Sequence, residues 1–61
     1  MKVRDVVKLL RADGWYLVAV RGSHYQYEHP TKPGKVTVPG KPGDELAVGT
    51  LASILRQAKL K

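Results

Sequence analysis

The chain has 61 residues and a formal net charge of +6, from eleven Lys and Arg against five Asp and Glu. So short a chain cannot build two cores, so residues 1–61 are read as one domain. With no cysteine, disulfide staples and thiolate-held zinc are excluded, and the longest apolar run, Trp15–Val20, is far short of the roughly 20 residues of a spanning helix. The expected location is the cytoplasm, away from membranes. The excess positive charge favours polyanionic partners, whether RNA, DNA or an acidic protein.

Val3, Val6, Val7 and Leu10 follow the i, i+3, i+4, i+7 spacing of a helix with one apolar stripe, and Lys2, Arg4, Lys8 and Arg11 fall largely off it. Gly14 suits the left-handed residue just past a helix end, so the pattern predicts a helix over residues 3–13. Residues 15–20, rich in aromatic and β-branched side chains, read as a strand, and Arg21-Gly22 as a turn. Residues 23–28 then alternate, with Tyr25 and Tyr27 on one face and His24, Gln26 and Glu28 on the other. After the loop at residues 30–34, a third strand over 35–38 turns Val36 and Val38 one way and Lys35 and Thr37 the other, until Pro39 ends it. Thr50 is the expected N-cap of a closing helix whose Leu51, Ile54, Leu55 and Ala58 again keep helical spacing.

The fold class is therefore α+β in the order α-β-β-β-α: a three-stranded antiparallel sheet with two helices on one face. Three strands with one apolar face need a cover, and two amphipathic helices supply it. The opposite face stays open to solvent, carrying His24 and Gln26, with Lys35 expected beside His24. The order resembles the double-stranded-RNA-binding fold. Trp15 and most of the tyrosines are read as core, because the chain has no phenylalanine.

Two histidines are the candidates for chemistry. A free imidazole titrates near pH ~6.5 and can both take and give a proton at neutral pH. RNA cleavage uses that ability: the 2′-hydroxyl loses a proton to attack the phosphate, and the leaving 5′-oxygen gains one. Arg21 and Lys35 are candidate phosphate contacts near His24, with Ser23 beside it. Lys8 and Arg11 on the first helix are an alternative RNA-binding surface. The bland alternative for His24 is a polar strand residue. His29, before Pro30, is expected to be an exposed loop residue. A metal site is disfavoured because His24 and His29 differ in strand parity and so would face opposite sides. Ser23 and His24, as strand neighbours, cannot form a nucleophile–base pair. No cofactor-binding motif appears, and Gly40-Lys41-Pro42-Gly43 lacks the spacing of a phosphate-binding loop.

Gly14-Trp15-Tyr16-Leu17-Val18 leading to Arg21-Gly22-Ser23-His24, then Val36-Thr37-Val38-Pro39, then the closing stretch from Gly49-Thr50-Leu51 to Arg56-Gln57-Ala58, together resemble HicA-type toxins. The likeness covers nearly the whole chain. It implies a double-stranded-RNA-binding-like fold, a metal-independent endoribonuclease that cleaves messenger RNA, a HicB-type antitoxin as partner, and His24 as the catalytic residue. A non-catalytic RNA-binding module is the competing reading. Two positions depart from the family pattern: Gly40 stands where a histidine is often found, and Lys59 where Gln-Ala is often followed by glycine.

Overall fold

The structure is a computed structural model that describes residues 1–60. Its order is α1 (Val3–Ala12), β1 (Tyr16–Arg21), β2 (His24–Glu28), β3 (Val36–Pro39) and α2 (Val48–Gln57). The strands form one antiparallel sheet in the order β1-β2-β3. The expected fold class is therefore the observed one.

The core forms where the predicted stripes meet. Val3, Val6 and Leu10 of α1 and Ile54 of α2, with Ala58 just past it, are buried against Tyr27, Val36 and Val38 of the sheet. Trp15, expected inside the first strand, instead precedes it and is buried as a plug between helix and sheet. Tyr27 is buried and Tyr25 packs at the margin of the core, but Tyr16 is half-exposed on the outer strand.

Both helices stop in the same way. In α1, the Trp15 N–H bonds the Leu10 carbonyl and the Gly14 N–H bonds the Arg11 carbonyl, with Gly14 at φ 104°. In α2, the Leu60 N–H bonds the Leu55 carbonyl and the Lys59 N–H bonds the Arg56 carbonyl, with Lys59 at φ 57°. This double bond pattern satisfies carbonyls that the helix leaves free and requires a left-handed residue. The first helix fills that place with glycine and the second with lysine. A Cβ on Gly14 would also stand 2.8 Å from the His29 ring.

The start of α2 and both ends of β3 differ from expectation. The α2 N-cap is Ala47, not Thr50, because the Ala47 carbonyl already accepts the Leu51 N–H at 2.9 Å. Thr50 consequently lies inside the first turn. Pro39 is the last residue of β3 rather than its terminator, and Lys35 falls just outside the strand. The α1 N-terminus, which starts at Val3 as expected, is held by the loop before α2: the Val3 and Arg4 N–H groups bond the carbonyls of Asp44 and Pro42 at 2.9 and 3.0 Å. The Asp5 carboxylate accepts the Lys2 N–H at 3.0 Å, closing the turn from the other side.

Candidate active site

A two-residue turn, Gly22-Ser23, joins β1 to β2 and sets Arg21 directly across from His24. Gly22 takes φ 57°, as a tight hairpin turn of the hand that suits twisted strands requires at this place. Cross-strand partners share a sheet face, so Arg21 and His24 point the same way, with Gln26 and Thr37 further along. The ladder continues past β3 where the Gly40 N–H bonds the Ser23 carbonyl at 2.9 Å. This face is opposite to the one that bears Tyr25, Tyr27, Val36 and Val38.

His24 is exposed, and no side-chain hydrogen bond among the described residues holds its ring. It is not on a flat surface, however. A groove of about 380 Å3 runs between His24, Thr37 and Pro39 on the sheet and Gly49, Thr50, Ser53 and Gln57 on α2. The helix reaches this position because it packs along the β3 edge. Its Ile54 enters the core, while Gln57 accepts the Thr37 N–H at 3.4 Å and donates to the Ser53 hydroxyl at 3.2 Å. Thr50, Ser53 and Gln57 stand at i, i+3, i+7 and form one polar stripe facing the imidazole across the groove. Sequence reasoning missed this wall. Its spacing was visible, but a polar stripe on an amphipathic helix ordinarily faces solvent.

The expected basic contacts do not all converge. Arg21 is next to His24. Lys35 is not: the register sets His24 opposite Pro39, and Lys35 lies four residues further down, about 13 Å away along the strand. There its ammonium is 3.9 Å from the Glu28 carboxylate, in an exposed pair of small energetic worth. Ser23 occupies the turn itself. Lys8 and Arg11 lie on the other side of the sheet, lining a hollow with Tyr25 and Tyr27.

His29 is not the exposed loop residue the sequence suggests. Only 8% of its side chain is accessible. Its Nε2 lies 2.6 Å from the Asp13 carbonyl, and its Nδ1 accepts the N–H groups of Thr31 and Lys32, each at 3.1 Å. A ring that accepts at Nδ1 carries its proton on Nε2 and donates it to that carbonyl. The ring also packs edge-on against Trp15, with centroids 5.1 Å apart. His29 thus ties the β2–β3 loop to the end of α1 and is remote from His24. Beside it, the Lys32 ammonium donates to the Asp13 carboxylate and holds that carboxyl below its ordinary 3.8, with desolvation opposing. Among the described residues, no three His, Asp or Glu side chains gather as metal ligands, and no helix is long and apolar enough to cross a membrane.

A small basic α-β-β-β-α domain with an open histidine at a hairpin and a polar groove beside it is the class these features define. The chain belongs to the HicA toxin family of bacterial toxin–antitoxin systems, whose model matches residues 3–60. No individual characterised protein matches it.

Proposed function

We propose that this toxin is an endoribonuclease that cleaves messenger RNA in the cytoplasm, with His24 as its catalytic residue. The observation that supports this best is the setting of His24. It is a free imidazole at a groove whose opposite wall carries hydroxyl and amide groups, with the Arg21 guanidinium as its cross-strand neighbour. In this reading the imidazole takes the proton of the 2′-hydroxyl. The 2′-oxygen then bonds to the phosphorus, and the bond to the 5′-oxygen breaks as that oxygen is protonated. The products are a 2′,3′-cyclic phosphate and a 5′-hydroxyl. Arg21 offsets charge on the phosphate, Ser23 contacts it at the turn, and Lys35 meets the strand at a flanking phosphate. The route requires no metal. The partner that restrains the toxin is a HicB-type antitoxin seated over His24.

The test is induction of wild type and His24→Ala in bacteria, with growth and messenger RNA integrity compared. The purified proteins are then assayed on an RNA and on its 2′-deoxy counterpart in EDTA. Wild type cleaves only the RNA. His24→Ala is inactive and, as a truncation at an exposed site, changes stability by no more than about 0.5 kcal/mol. A folded, still toxic His24→Ala protein overturns the assignment.

A further inference from the structure

The helices cover the sheet unevenly. Leu17 and Val20 of β1 pair with Tyr27 and Tyr25 and so share the core-side face. Tyr27 is buried, yet Leu17 is 47% exposed and Val20 54%. Between this uncovered strand and α1 lie two adjoining hollows of about 250 and 280 Å3 that share Arg11 and Tyr27. Their floor is Leu17, Tyr25 and Tyr27; their α1 side bears Val7, with Arg4, Lys8 and Arg11 along it. Among the described residues, none of these three cations is in an ion pair.

We propose that this groove receives an acidic amphipathic helix of a partner protein. An apolar floor asks for an apolar stripe on the occupant. The cations at positions 4, 8 and 11 repeat at one face of α1 over about 10 Å, so acidic residues at matching helical spacing on a helix lying alongside meet all three. A strand added to the free edge of β1 would cover apolar side chains but would leave the α1 charges unanswered. A helix fills the space between, completing the cover of the sheet. The chain's net charge of +6 draws such a partner in. The surface faces away from His24, so this contact grips the toxin from behind and does not depend on the proposed chemistry.

The probe is a synthetic helical peptide with one leucine stripe flanked by glutamates, titrated into the isotopically labelled full chain and followed by amide NMR shifts. A peptide with lysine at every glutamate position is the control. The acidic peptide is expected to shift Leu17, Val20, Lys8 and Arg11. The triple variant Arg4→Glu, Lys8→Glu, Arg11→Glu is expected to weaken it at least tenfold and to favour the lysine peptide instead. Leu17→Ser, at a half-exposed floor position, removes apolar contact without adding charge and weakens the acidic peptide. His24→Ala leaves binding unchanged, which separates this surface from the catalytic reading. Equal binding of the two peptides to wild type overturns the proposal. So do shifts centred on His24 and Thr37, or displacement of the peptide from these residues by an RNA oligonucleotide, which assigns the groove to RNA.

Discussion

Replacing Lys59 by glycine is expected to stabilise the protein. Lys59 holds φ 57° at the end of α2, where the closing hydrogen bonds from Lys59 and Leu60 fix it in the left-handed region. That conformation costs an ordinary L-residue about 1–2 kcal/mol, and glycine nothing. Glycine also gives the unfolded chain more freedom, which returns about 0.4–1 kcal/mol of the gain. The net is about 0.5–1 kcal/mol, or a rise of roughly 2–8 °C in Tm for a domain of this size. Removing a lysine from a helix C-terminus forfeits a favourable charge–dipole contact, so Lys59→Ala is the necessary control. Alanine loses the charge but keeps the backbone cost. Urea unfolding at fixed pH and salt should rank glycine above wild type, and alanine at or below it. Equal stability of the glycine and alanine variants would refute the argument, because it would mean that the backbone angle carries no cost there.

The converse holds at the end of α1. Gly14→Ala incurs the same left-handed cost, and its methyl meets the His29 ring, which is bonded at both nitrogens and cannot simply turn aside. With one hydrogen bond lost as well, the expected destabilisation is about 2–3 kcal/mol, read as a lower urea midpoint at unchanged slope. A loss below about 0.5 kcal/mol contradicts the packing. The Asp13–Lys32 pair predicts a pH effect. Because the folded carboxyl sits below the unfolded value, its stabilisation is complete above the unfolded pKa and fades as pH falls through the folded one. Lys32→Met should therefore lower Tm near neutrality and flatten its decline below about pH 4, and an unchanged acid limb would count against the pair.

The helices and the order of the strands were legible because their periods are local properties. The α1 stripe at Val3, Val6 and Leu10 and the alternation from His24 to Glu28 each report one element's buried side. The face of His24 followed from that parity alone. The position of Lys35 did not, since the β2–β3 register depends on how residues 29–35 cross between strands. That crossing is fixed by His29 packing on Trp15 and by Nδ1 collecting two backbone amides. Nothing in the composition of a loop histidine before a proline announces such a role. The Thr50 expectation failed because cap preference yields to tertiary anchoring: the bond between the Leu46 N–H and the Met1 carbonyl fixes the chain just ahead of the helix. The bare inner face of β1 was hidden for a similar reason. An apolar strand predicts burial, but which neighbour covers it is decided by how far two helices reach across three strands.

The groove beside His24 is assembled from β2, β3 and α2, so it exists only while the closing helix is docked. His24 and Thr37 belong to the sheet, but Thr50, Ser53 and Gln57 stand on an element that follows the sheet in sequence and meets it along the β3 edge. Local opening of that last helix would remove the facing wall and leave the imidazole on its hairpin, with the strands still paired. A protein that holds α2 away from β3 would therefore dismantle the groove while leaving His24 itself uncovered.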